Sequence, residues 1–90
     1  MLKFPVSYFV VFENSMFPAY KPGDHVLTFN WGYIKAGDVI AFDVGLKHFI
    51  KRVERVRSGL YYVYGDNRRE SAKMGPIKKE QIVGKVVFRY

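Results

Sequence analysis

The sequence predicts a mainly β domain, a small, strongly curved, barrel-like sheet carrying one or two short helical turns. Three observations lead there. Turn signals punctuate the chain densely; the runs between them are short and rich in Val, Ile, Phe and Tyr; and no stretch keeps the 3.6-residue apolar period of a long amphipathic helix. With 90 residues, all of this belongs to one domain spanning 1–90.

The turns are read at Lys21-Pro22-Gly23-Asp24, Ala36-Gly37-Asp38, Asp43-Val44-Gly45, Arg57-Ser58-Gly59, Tyr64-Gly65-Asp66-Asn67 and Gly75-Pro76. Between them lie strands near 5–12, 25–29, 38–43, 47–57, 60–64 and 82–89. The last alternates with period two, Ile82, Gly84, Val86 and Phe88 against Val83, Lys85, Val87 and Arg89. Segments 47–57 and 60–64 form a hairpin through Ser58-Gly59. Helical turns are expected at 15–20, after Asn14, and at 77–82, after Pro76.

Composition narrows the chemistry. Without cysteine there is no disulfide framework, thiol nucleophile or Cys-ligated zinc, and two His are too few for a His-only metal site. Neither a metal nor an organic cofactor is implied. Fifteen Lys and Arg against eight Asp and Glu give a net charge of +7, compatible with nucleic acid, anionic lipid or an acidic partner. The longest mainly apolar stretch, Phe4–Phe12, falls well short of the roughly 20 residues of a membrane-spanning helix.

Four segments carry more than a fold. They are Asn14-Ser15-Met16-Phe17-Pro18, Lys21-Pro22-Gly23-Asp24, Phe49-Ile50-Lys51-Arg52-Val53 and Gly65-Asp66-Asn67-Arg68-Arg69-Glu70-Ser71. With Gly37-Asp38-Val39 and the closing Ile82-Val83-Gly84-Lys85-Val86, this ordered set resembles the type I signal peptidase family. That family shares its serine–lysine protease fold with the self-cleaving domain of LexA-type repressors. The resemblance runs over residues 9–87. It implies a serine endopeptidase that cuts an extended signal or leader peptide, with a peptide or precursor protein as its partner.

A serine hydroxyl is a poor nucleophile until a base takes its proton. A lysine serves only when neutral, and with an ordinary pKa of about 10.4 roughly one in 2,500 is neutral at pH 7. Apolar burial shifts that balance by disfavouring the charge. Lys51 sits where this is expected: on a strand it shares its face with Phe49 and Val53, while Arg52 points the other way. Ser15 is read as the nucleophile, at a turn stiffened by Pro18, and Lys51 as the general base. By resemblance, Ser71 orients the lysine, and Asp66 and Asn67 shape the adjoining corner. The substrate cleft is expected between the strand leading into Ser15 (Phe9, Val11) and the one leading into Lys51 (Phe49, Ile50), with Met16 and Tyr20 as walls. The peptide adds there as a strand.

The sequence also departs from the family. Where many relatives carry a serine that donates to the oxyanion, this chain has Glu13, whose carboxylate could only repel developing negative charge. After Ser71 it reads Ala72-Lys73-Met74-Gly75 in place of a buttressing Asp-Ser-Arg, leaving a looser site or a substitute pair such as Asp66 with Arg68. Taken singly, Ser15 is a turn serine, Lys51 a surface lysine laying its stem on apolar neighbours, and His25 and His48 surface side chains. Two other functions stay open. One is an idle relative that binds peptide or protein. The other is a basic β-barrel that binds nucleic acid, which needs exposed aromatics gathered on one sheet face; under the leading reading no nucleic acid is expected. With 14 residues before Ser15 there is no room for an N-terminal membrane anchor, so a soluble or peripherally membrane-associated chain is expected. Oligomeric state is not legible.

Overall fold

Among the described residues, backbone pairing in the computed structural model joins seven strands into one antiparallel sheet in the order β1-β2-β7-β3-β4-β5-β6. The strands are β1 (Val6–Val10), β2 (His25–Phe29), β3 (Val39–Val44), β4 (Lys47–Arg57), β5 (Leu60–Tyr64), β6 (Ile77–Lys78) and β7 (Ile82–Arg89). The structure describes residues 5–30, 32–67, 69 and 74–90. Six of the seven strands are those expected from composition and turn spacing. The seventh, β6, occupies the start of the segment read as a helical turn. Ile77 is buried there and pairs with Tyr61, and only Lys79–Gln81 coil into a 3-10 turn. At 14–20 the chain makes tight turns rather than a helix, with Phe17 N–H donating to Asn14 C=O (3.1 Å) and Tyr20 N–H to Met16 C=O (2.9 Å). The Phe17–Pro18 peptide is cis.

Two Asp-capped turns share one design. In 21–24 the Asp24 N–H donates to Lys21 C=O and the Asp24 carboxylate accepts from Lys21 N–H. In 35–38 Asp38 and Lys35 do the same. Gly23 and Gly37 take the third place of each turn at φ +93° and +95°, backbone that a side chain disfavours. Two-residue connections then close the β3–β4 and β4–β5 hairpins at 45–46 and 58–59.

The sheet curls because its strands are bulged. Register slips occur between Leu27 and Thr28 in the β2–β7 pair, between Ala41 and Phe42 in β3–β7, and between Val53 and Arg55 in β4–β5. The curl brings the first strand towards the fifth in sheet order: the Phe9 ring of β1 lies 5.5 Å from that of His48 on β4. A core of Ile40, Phe42, Val53, Val63, Ile77 and Ile82 fills one concavity. Val39 and Ala41, on the opposite face of β3, are buried as well, so this strand is covered on both sides. At the β1–β2–β7 end the cover is incomplete. Tyr8, Leu27 and Phe88 lie side by side across the three strands, with His25 and Tyr90 stacked beside them; Tyr8, Phe88 and Tyr90 are exposed.

Gly84 marks the tightest crossing. A Cβ built there would meet the Phe29 backbone carbonyl carbon and oxygen at 3.1 Å, and main chain cannot step aside as a flexible side chain does. Gly84→Ala is therefore expected to destabilise the protein by about 1–3 kcal/mol, read as a lowered thermal midpoint. Gly75→Ala, with open space around it and an ordinary φ, should change the midpoint little; equal effects at both positions would contradict this packing.

Candidate active site

Strand alternation and turn geometry bring two polar side chains into the protein's interior. On β4, Lys51 lies directly opposite Ile40 of β3 and two residues from both Phe49 and Val53, so its stem is flanked by apolar side chains. It is 3% exposed. Ser15 sits in the turn after β1 and is 2% exposed. A single carboxylate oxygen joins them: Ser15 Oγ donates to Glu13 Oε2 at 3.4 Å, and Lys51 Nζ stands 4.0 Å from the same atom. Burial pulls the Lys51 pKa below its ordinary value, and the negative charge of Glu13 opposes part of that fall.

The turn bearing Ser15 is held from the far side. Asn67 donates its backbone N–H to Ser15 C=O (2.8 Å) and its side-chain Nδ2 to Asn14 C=O (2.9 Å). Asp66 donates its N–H to the sulfur of buried Met16 (3.4 Å). Its carboxylate receives a two-pronged bond from Arg52, Nε to Oδ1 at 2.8 Å and a terminal nitrogen to Oδ2 at 2.7 Å. The other guanidinium nitrogen of Arg52 donates to Gly37 C=O (2.7 Å). Arg52 therefore ties together β4, the 35–38 turn and the corner that grips Ser15. It does point away from Lys51, but it is bonded rather than simply solvated.

Beside Ser15 and Lys51 opens a groove of about 350 Å³, lined by Phe9–Glu13 on one side and Lys47–Ile50 on the other. Both walls are strand edges. β1 pairs only with β2, and β5 pairs with β4 from Arg52 onward, so among the described residues no strand takes the outer edge of β1 or of Lys47–Lys51. Phe9, Val11, Phe49 and Ile50 all line this groove.

Two of the expected wall residues lie elsewhere. Met16 is fully buried, because its sulfur and stem fill the space beneath the Ser15 turn. Tyr20 faces away, within the field of Arg52, Arg89 and Asp66, and burial raises its pKa. Among the described residues the partner of Asp66 is Arg52, since parity turns Arg52 of β4 towards that corner; Arg68, expected as a substitute partner, lies outside the described residues. Ser71, expected to orient Lys51, also lies outside them. From the sequence Glu13 is only a missing oxyanion donor; the structure adds its contact with both buried groups, and its place two residues before Ser15 is the sequence signal for it. His48 is exposed and paired with Asp43. Among the described residues no helix is long and apolar enough to cross a membrane.

A family model described as Peptidase S24-like matches residues 3–87 of the chain. That is nearly its whole length, and the chain belongs to this family. The comparison with curated proteins found no match.

Burial of Lys51 has a thermodynamic signature. Its folded-state pKa lies below the unfolded value of 10.5, so between the two the unfolded chain holds a proton that the folded chain lacks. Stability should rise with pH through that window, and the full penalty of the buried charge remains below it. Lys51→Met removes the ionisable group while keeping the stem. It is expected to be more stable than the native chain at pH 7, with the advantage shrinking towards pH 10, as denaturant midpoints at the two pH values would record. A pH-independent difference would mean that Lys51 titrates as it does in water.

Proposed function

From its membership of the S24-like peptidases, we propose that this protein is a serine endopeptidase of signal-peptidase type, working through a Ser15–Lys51 dyad on an extended peptide segment. The observation that carries the reading is the burial of an alcohol and an amine around one carboxylate oxygen, at the end of a groove bounded by two strand edges. A peptide laid between β1 and Lys47–Lys51 would add as a strand, its main chain meeting both edges and its alternate side chains entering the apolar lining.

In the proposed reaction neutral Lys51 takes the Ser15 hydroxyl proton as Oγ attacks the scissile carbonyl carbon. The oxyanion so formed is met by backbone N–H groups, most simply that of Ser15. Collapse breaks the C–N bond while the Lys51 ammonium returns its proton to the leaving amine. Water then attacks the Ser15 ester, again giving a proton to Lys51, and the acid product leaves with Ser15 restored. The lowered Lys51 pKa supports this role, because it raises the neutral fraction near neutral pH. The clamp from Asn67, Asp66 and Arg52 supports it too, by fixing the turn that presents the nucleophile.

Ser15→Ala and Lys51→Ala should each lower peptide cleavage by on the order of a thousand-fold or more with an unchanged circular dichroism spectrum. In the native enzyme kcat/KM should rise with pH along a limb centred below the ordinary lysine pKa. Undiminished cleavage in either variant would remove the dyad.

One observation favours a second reading, that of a nucleic-acid-binding barrel: Tyr8, Phe88 and Tyr90 gather exposed on one sheet face of a chain with net charge +7. This reading expects a single-stranded oligonucleotide to bind with an affinity that falls steeply with salt, and Tyr8→Ala to weaken it. No salt-dependent binding would eliminate it.

A further inference from the structure

Glu13 stands at the junction of the groove and the buried pair, and its geometry works against the dyad in two ways. Its Oε2 accepts the Ser15 hydroxyl proton, which aims that proton at a carboxylate instead of at the amine. Its charge also favours the ammonium form of Lys51, the form that cannot act as a base. Both effects belong to one ionised group whose side chain is 49% exposed, whereas that of Lys51 is 4% exposed. The carboxylate is therefore the member of the cluster with room to move.

The groove suggests what moves it. Glu13 is the one carboxylate among the lining residues. Among the described residues, Lys47 and His48 line the groove with it and Lys51 stands 4.0 Å from it; His48 is already held by Asp43, and Lys51 is the only ion-pair partner of Glu13. A positive side chain delivered by a peptide in the groove would offer the carboxylate a second partner on its exposed side. Once drawn towards that charge, Glu13 would release the Ser15 hydroxyl to Lys51 and let the Lys51 pKa fall further. Resting upon the peptidase reading, we infer that Glu13 is a specificity-determining residue that restrains Ser15 and Lys51 until a lysine or arginine of the substrate, next to the scissile bond, pairs with it. The preference follows from local charge alone, since the chain as a whole, at +7, repels cationic peptides.

The test uses two degenerate peptide pools, identical except that one fixed position carries arginine in the first and its uncharged isostere citrulline in the second. The native enzyme should cut the arginine pool about fivefold faster or more, the scale of one half-exposed charge pair. Glu13→Gln should cut both pools alike, and the citrulline pool faster than the native enzyme does. Equal rates on the two pools with native enzyme, or a preference that survives Glu13→Gln, overturns the inference while leaving the peptidase reading in place, provided Ser15→Ala is inactive. In parallel, the Lys51 side chain is titrated by NMR in the native protein and in Glu13→Gln. The variant should titrate at lower pH, and coincident titrations overturn the inference whatever the peptides do. No cleavage of either pool by either protein defeats the peptidase reading instead, and the Lys51 titrations then decide whether Glu13 restrains the pair.

Discussion

The structure depends on placing one lysine amine where water barely reaches. Ile40, Phe49 and Val53 leave Lys51 little solvent and so impose the penalty of burying an ammonium, and among the described residues Glu13 is the one charge near enough to compensate. Burial and the carboxylate pull the amine in opposite directions, and burial prevails. A lysine in this position is costly for stability, and its lowered pKa is what the proposed proton transfer would use.

The site is also a mechanical unit. The Ser15 turn has no helix to hold it, so its rigidity comes from Asn67, which bonds to two successive carbonyls. Asn67 is in turn held in place through Asp66, and Asp66 through the two-pronged bond from Arg52. Arg52 is the sequence neighbour of Lys51. The buried lysine and the residue that secures the Ser15 turn are thus consecutive on β4, one on each face.

Much of this was legible in the sequence because period-two alternation and turn chemistry are local. The six longer strands, the hairpin at Ser58-Gly59, and the shared face of Phe49, Lys51 and Val53 follow from residue spacing. The rest depended on contacts distant in sequence. The two-residue strand at Ile77 exists because Tyr61 pairs with it, a partner 16 residues away that no local pattern encodes. Met16 and Tyr20 follow Ser15 closely, yet neither lines the groove, because the tight turn at 14–20 buries Met16 and leaves Tyr20 within the field of Arg52. The two-pronged bond to Asp66 comes from Arg52, 14 residues upstream, a contact that no local pattern encodes.

Alternation makes the β4 arrangement intolerant of register error. If β4 shifted by one residue against β3, Arg52 would turn towards the apolar interior and Lys51 towards Asp66. A guanidinium stays charged at any physiological pH and has no neutral form to adopt, so burying it would cost far more than burying the amine. Asp66 would then meet a flexible ammonium in place of the planar fork that now fixes both its oxygens, and the grip of Asn67 on Ser15 would loosen. Lys-Arg in that order therefore suits β4 on both faces at once: the cation able to lose its proton faces the interior, and the one that cannot is held by a carboxylate at the surface.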